Sequence, residues 1–325
     1  MRFPFFKKKT KKQRYTVAFY NLENLFDPKR NSKILDKDYT PDGAKKWTVE
    51  RYQRKLVKLA KTIVNIGEKD HPYPPALIGV AEAENNSVLT ALLHTDPMDD
   101  LDYGFIHFDS PDERGIDTGL IYRKRFFKVL HSEPLVLLVD NPGGVRDTTR
   151  DILYVKGELN KELVHVFVNH WPSRREGDVA TEYKRVIAAK EIVLKIEQIR
   201  LEELDSNIIV MGDFNDDPSS KSLQDLKEGA ALFNPMETLH IPDSQGSSVY
   251  GNKWNMFDQI LVSNSFFNYE KNTHSFDSAA IYDDKSLKEK KGKYKGSPYR
   301  TFVSDRYMGG YSDHFPVYAM FTFNS

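Results

Sequence analysis

Apolar residues recur along the chain with two different periods, and the two alternate. Residues 16–21 (TVAFYN) are an unbroken β-prone run with the length of a buried strand. From 48 to 66 the period lengthens. Tyr52, Leu56, Leu59, Ile63 and Ile66 fall close to a 3.6-residue repeat, predicting an amphipathic helix that Gly67 is placed to stop. Residues 76–81 return to a strand pattern, and 86–93 predict a short helix. The middle is strand-dense, near 103–108, 118–123, 127–139, 152–159 and 163–169. Several of these runs are separated only by turn chemistry, such as Asn141-Pro142-Gly143-Gly144 and Asn160-Lys161, which predicts antiparallel hairpins. A long helix is expected over 180–204, with Val186, Ala189, Val193 and Ile196 along one face, and strands near 208–211, 259–262 and 316–323.

Helices towards both ends with many strands between predict two mixed sheets packed face to face and covered outside by helices. No repeat or clean linker interrupts this pattern, so residues 15–325 are expected to form one domain. Residues 283–300 are rich in Lys and Gly and poor in apolar side chains, and they read as a mobile surface loop.

Composition narrows the chemistry. At 39% hydrophobic, 325 residues can bury a large core, and the absence of cysteine removes disulfides, thiolate zinc sites and cysteine nucleophiles. Lys and Arg (47) balance Asp and Glu (47). That balance disfavours a protein living on non-specific duplex binding and leaves room for an enzyme with a local basic cleft. Residues 1–14 are basic and carry three phenylalanines without the apolar core of a signal peptide, so they are expected to be a flexible tail. No run approaches the ~18 apolar residues of a membrane span, and a soluble cytoplasmic protein is expected.

Polar residues that suit catalysis cluster at the ends of the predicted strands. Four apolar residues lead into Gly212-Asp213-Phe214-Asn215-Asp216-Asp217-Pro218, so Asp213 and Asn215 follow a strand directly and project to one side. A carboxylate beside a carboxamide can position a water and polarise a phosphoryl oxygen; the same residue types also suit a plain turn. Ser312-Asp313-His314-Phe315 pairs a metal-binding carboxylate with an imidazole ahead of the last strand. His170 ends a strand in which Val164, Val166 and Val168 alternate, and the nearby Arg174 and Arg175 suit phosphate oxygens. Asn21 closes the first strand and Glu82 the strand at 76–81. A carboxylate there calls for a partner such as a cation, a role for which Glu84 competes with Glu82.

Taken in order, YNLENLFD, VAEAEN, RGIDTGLIYR, TRDIL, NHWPSR, MGDFNDDP, FDQILVS and SDHFPV resemble the endonuclease/exonuclease/phosphatase family, from Tyr20 to Val317. The resemblance implies a four-layer α/β/β/α sandwich, a monomer, and a hydrolase acting on phosphate esters with Mg²⁺, for which Mn²⁺ can substitute. It implies Glu82 as main metal ligand, assisted by Asp313. Asn21 would stand beside the metal and the scissile phosphate, and Asp213 would orient or deprotonate the water. Asn215 would hold a phosphate oxygen, His170 and His314 would face the phosphate, and Asp258 would orient His314. Arg150 is the implied substrate contact, joining Arg174, which its place beside His170 suggests as a second, and Asp117 is the implied partner of His170. The substrate stays open between a nucleic-acid strand, a phosphorylated small molecule and a lipid headgroup. FDQIL resembles the phosphatase branch as much as the nuclease branch, and the lysines of 283–300 suit any polyanion. Nuclease-like hydrolysis is the expectation. Inositol-phosphate or sphingolipid hydrolysis and a non-catalytic binding protein are the alternatives.

Overall fold

The computed structural model describes residues 13–250 and 253–325. Residues 1–12, most of the expected tail, lie outside the described residues. Twelve strands build the two large sheets. They are β1 (Gln13–Leu25), β2 (Leu77–Ala83), β3 (Tyr103–His107), β4 (Asp117–Arg123), β5 (Phe127–Leu135), β6 (Ile152–Leu159), β7 (Glu162–His170), β8 (Ile208–Asp213), β9 (Leu232–Phe233), β10 (Asp258–Ser263), β11 (His274–Ile281) and β12 (Val317–Phe323). Four helices accompany them: α1 (Val49–Asn65), α2 (Asn86–Leu93), α3 (Asp178–Glu202) and α4 (Lys221–Gly229). The first strand starts inside the stretch expected as tail, because Gln13 and Arg14 pair with Phe323 and Thr322 on β12.

Each sheet has six strands, ordered β11-β12-β1-β2-β4-β3 and β9-β10-β8-β7-β6-β5. Both are mixed. The single parallel pair in each, β1/β2 and β7/β8, is joined by a helix, α1 or α3, while the remaining pairs are antiparallel. This is the expected four-layer sandwich.

Strand periodicity sorts the layers. On β1, Val17 and Phe19 face the second sheet, where they meet Val164, Val166 and Val168 of β7 and Ile209 and Met211 of β8. Ala18 and Tyr20 face the other way and pack under Leu56, Leu59 and Ile63 of α1 and Leu89 of α2. On the far side, Phe167, Ile208 and Val210 lie under Ala188, Ile192 and Ile196 of α3 and Leu223 of α4. Gly79 sets the spacing between the sheets: a Cβ there would meet Met211 Sδ at 2.6 Å. Helix α1 starts where Thr48 caps the Arg51 N–H, and its chain turns away at Gly67, whose φ of +79° suits glycine.

The Lys-rich segment 283–300 is pinned to the fold at several points. Leu287 is buried, Tyr299 N donates to the Leu287 carbonyl, and Glu289 and Ser297 pair through their backbones. Its lysines stay at the surface, which is what their sequence pattern reported; the few anchoring residues are too sparse to make a period. Among the described residues no helix is long and apolar enough to cross a membrane.

Candidate active site

Strand register assembles one wall of the site. Asp213 at the end of β8 pairs with His170 on β7 on one side and with Asp258 on β10 on the other, so three polar residues stand in one row across the second sheet. The first sheet ends beside them. Asn21 lies on β1, while Glu82 lies in an irregularity that interrupts β2 against both neighbours, with φ +64°. Such a bulge re-aims a side chain and stores backbone strain at a place where geometry matters. Asp313 and His314 arrive just before β12, and Ser312 is held by a 2.7 Å hydrogen bond from its hydroxyl to the Asn21 carbonyl.

The contacts close into one network. Asn21 Nδ2 donates to Asp213 Oδ2 at 2.9 Å, and the Asn215 N–H donates to Asp213 Oδ1 at 3.0 Å. His314 Nδ1 lies 2.6 Å from Asp258 Oδ2, while its Nε2 lies 3.9 Å from Asp213 Oδ2 and 4.0 Å from Asp313 Oδ1. His170 Nε2 stands between Glu82 Oε1 at 3.8 Å and Asp213 Oδ2 at 3.9 Å. Asn215, at φ +50°, donates through Nδ2 to the Trp171 carbonyl at 2.9 Å. The expected Asn21, Glu82, His170, Asp213, Asn215, Asp258, Asp313 and His314 are therefore brought together, although nearly 300 positions separate the first from the last.

The two histidines are driven to opposite charge states. Burial lowers His314, but the carboxylates of Asp258 and Asp213 outweigh it and hold its pKa well above the usual value. Burial, and then the positive charges of Arg150 and Arg114, push His170 well below the usual value. His314 is thus a cationic donor and His170 a neutral imidazole at pH 7, a divergence typical of groups given separate tasks. Asp213 is raised to about 6, chiefly by burial, with His314 pulling the other way.

Glu82 and Asp313 offer oxygen donors of the kind a divalent cation takes. Glu82 Oε2 accepts the Asn24 N–H at 2.7 Å, whereas Oε1 accepts no hydrogen bond among the described residues. Burial first, and then the negative charges of Glu82, Glu23 and Asp313, push the Tyr39 phenol up, so these three carboxylates share one neighbourhood. Oxygen ligands of this kind are what Mg²⁺ and Mn²⁺ take. Asp213, Asp258 and His314 also offer ligand atoms within 4.8 Å of one another. There His314 Nδ1 is held by Asp258 and both Asp213 oxygens accept hydrogen bonds, and a cation beside the positively charged His314 would meet its repulsion. Glu84 is a poorer ligand than Glu82, since burial raises it to about 7 and its Oε2 accepts the Asp27 N–H.

Three sequence expectations find different partners. Arg174 Nε donates to the Asn215 carbonyl and its NH2 to Asp216 Oδ1, both at 2.6 Å, so its charge fixes the loop after β8. Arg150 is 6% exposed and bonds Asp112 and the Trp171 carbonyl, standing behind His170 as a buried positive charge. Asp117 accepts from Ser110 and lies 3.7 Å from His107 Nε2; it makes no hydrogen bond to His170, whose buried Nδ1 has no hydrogen-bond partner among the described residues. Sequence reasoning also missed Lys55, fully buried on α1, which donates to the Glu23 carbonyl and Thr301 Oγ1. Glu23 in turn accepts the Thr301 and Phe302 N–H groups, tying the chain just after the Lys-rich segment to β1. Helical periodicity puts Lys55 beside the apolar stripe of α1, the one signal that could have flagged it.

A model of the endonuclease/exonuclease/phosphatase family matches residues 16–322. No curated protein matches the chain by sequence. Among solved structures, a Bacteroides thetaiotaomicron protein of that family superposes at TM-score 0.57 with 17% identity, covering 97% of this chain and 96% of that one. D. rerio TDP2 in complex with a single-strand DNA product gives 0.55 at 16% identity, covering 95% and 98%. The human Nocturnin catalytic domain with bound sulfate gives 0.56 at 14%, covering 96% and 98%. At these identities the likeness is one of fold.

Proposed function

We propose that this chain, which belongs to the endonuclease/exonuclease/phosphatase family, hydrolyses phosphate esters with a divalent cation, Mg²⁺ or Mn²⁺, and acts in a nuclease-like way on a nucleic-acid phosphodiester. The observation that carries the reading is the polarised row His170-Asp213-Asp258 with His314 above it: one acceptor poised near neutrality, one cationic donor and one neutral imidazole around a single point.

A phosphodiester resists attack because its negative charge repels nucleophiles, so a catalyst must neutralise charge and aim a water. Held by Glu82 and Asp313, the cation would supply charge neutralisation at the phosphoryl oxygens. Asp213, fixed at Oδ1 by the Asn215 N–H and at Oδ2 by Asn21, accepts the proton of the attacking water. His314, locked through Nδ1 onto Asp258, turns Nε2–H towards the phosphoryl oxygens, so its positive charge is delivered in one orientation. His170 and the second amide proton of Asn215 add neutral contacts to the same group. No covalent intermediate is needed.

The test is hydrolysis of bis-p-nitrophenyl phosphate with Mg²⁺ or Mn²⁺, with and without EDTA. It is followed by a panel of plasmid DNA, abasic-site duplex, RNA, inositol phosphates and sphingomyelin. Cation-dependent turnover that EDTA abolishes, with activity on nucleic acid, is the expected result. Saturable binding of a panel member without turnover would make the protein a non-catalytic binder and end the proposal.

A further inference from the structure

A cavity of about 430 Å³ opens beside Asp313, between two main walls that lie outside the catalytic row, with Val303 and Met308 also lining it. One wall carries Tyr250; the other is the Lys-rich segment, contributing Lys291, Lys293, Tyr294 and Arg300. Tyr250 is 83% exposed and Tyr294 51%, so the fold buries neither ring for its own stability. Both walls are fastened to the catalytic residues. Ser248, two residues before Tyr250, forms an antiparallel bridge with His314, and the Phe315 N–H donates to the Ser247 carbonyl at 2.7 Å. On the other side the Arg300 guanidinium reaches Asp313 Oδ2 at 3.4 Å, and Lys293 Nζ lies 5.6 Å from the Tyr294 ring centre.

We infer that this cavity receives a nucleobase of the substrate, from the nucleotide next to the scissile phosphate. The two tyrosines would act as stacking platforms, and Lys291 and Lys293 as contacts for the flanking phosphates. This rests on the nuclease-like reading above, and it deepens it by assigning where a base of that substrate would sit. The chemistry of the lining favours a base over the other phosphate esters. Every base offers a flat π-face to an exposed phenol ring, which makes stacking strong and tolerant of sequence. A saturated inositol ring has no such face, and an acyl chain laid here would strip water from ammonium groups without replacing it. The volume suits one nucleoside-sized group. The Lys-rich segment, which a sequence reading leaves as solvated surface, thereby gains a role beside the site.

Fluorescence anisotropy in EDTA, where no turnover occurs, tests the inference. The probes are a short fluorescein-labelled oligothymidylate and the same backbone carrying tetrahydrofuran in place of every base. The oligothymidylate should bind wild-type protein roughly tenfold or more tightly than the base-free strand. The double variant Tyr250→Leu/Tyr294→Leu should bind both at the base-free level, with its affinity for the base-free strand unchanged. Equal binding of the two probes by wild type, or a base preference that survives the double substitution, would overturn the inference. Displacement of both probes alike by inositol hexakisphosphate would support charge recognition alone and count against it. Both rings are exposed, so folding of the variant is expected, and a thermal melt checks it. Turnover of bis-p-nitrophenyl phosphate is scored separately: base-dependent binding without turnover would sink the hydrolase reading and leave the base pocket standing.

Discussion

Substituting Asp213→Asn removes a charge and a proton acceptor while keeping the size of the side chain. Asp213 is 2% exposed, and burial is the main reason its pKa stands at about 6 against an ordinary 3.8. That gap corresponds to roughly 3 kcal/mol. Because the folded value lies above the unfolded one, this stability is fully present below about pH 4 and is lost as pH rises through about 6. Asparagine carries no such penalty at pH 8. Against that, both carboxylate oxygens now accept hydrogen bonds, and the new amide group would turn an N–H towards one of the donors, costing about 1–3 kcal/mol. The two effects nearly cancel at pH 8, so the variant should melt within about 1 kcal/mol of wild type in EDTA. At pH 5, where wild-type Asp213 is protonated, the variant should be the less stable. Turnover is a different matter: loss of the base should lower kcat about 10²- to 10⁴-fold, with KM little changed. Wild-type kcat/KM should also fall on the acid side at or below about pH 6, a limb that the residual activity of the variant lacks. Kinetics on bis-p-nitrophenyl phosphate from pH 5 to 9 and thermal melts over the same range supply both readings. Turnover within tenfold of wild type, or an acid limb that persists in the variant, would refute the assignment of Asp213 to the water.

His314→Ala should lose activity more heavily than Asp258→Asn, which leaves the imidazole present but unoriented; kcat of the double variant should fall far short of the product of the single losses, because the 2.6 Å pair acts as one unit. Glu82→Gln should weaken Mn²⁺ binding, read by titration calorimetry, by at least tenfold, whereas Glu84→Gln should leave it within threefold, and the reverse order would move the metal to Glu84. Arg174→Ala should destabilise the fold by about 2–4 kcal/mol in urea, since it strips one of two cations from the buried Asp216 carboxylate, while KM of the folded enzyme changes less than threefold; a large KM effect at unchanged stability would return Arg174 to the substrate.

What sequence reveals here follows from how each signal is generated. The strands were legible because a strand covered on both faces must be apolar throughout, as with Val17 and Phe19 between the sheets and Ala18 and Tyr20 under the helices. The row of polar residues proposed to act in catalysis was legible because a polar side chain closing an apolar strand, as at Asn21, His170 and Asp213, is costly to bury without a partner or ligand to engage it. Charge partners were not. Arg174, Arg150 and Asp117 chose carboxylates or hydroxyls that three-dimensional packing put in reach, and no local pattern encodes which acceptor a guanidinium meets. Lys55 and Glu23 were hidden for the same reason: their coupling joins α1 to residues 301–302 across nearly the whole chain. The anchors of segment 283–300, Leu287 and Tyr299 among them, were hidden because so few of them stand among many lysines.

The insertion of β12 between β11 and β1 has a bearing on how activity is born. His314 and Asp313 reach the cleft only when the latest strand in chain order pairs with the earliest, a closure spanning some 300 residues. Contacts of such long range form late and slowly. A nascent or partly refolded chain can hold both helical crossovers and still lack the cationic donor, so hydrolysis should appear only with the slowest global phase of refolding. Under the proposed function the chain stays silent until that closure is made, and turnover during refolding would report finished topology.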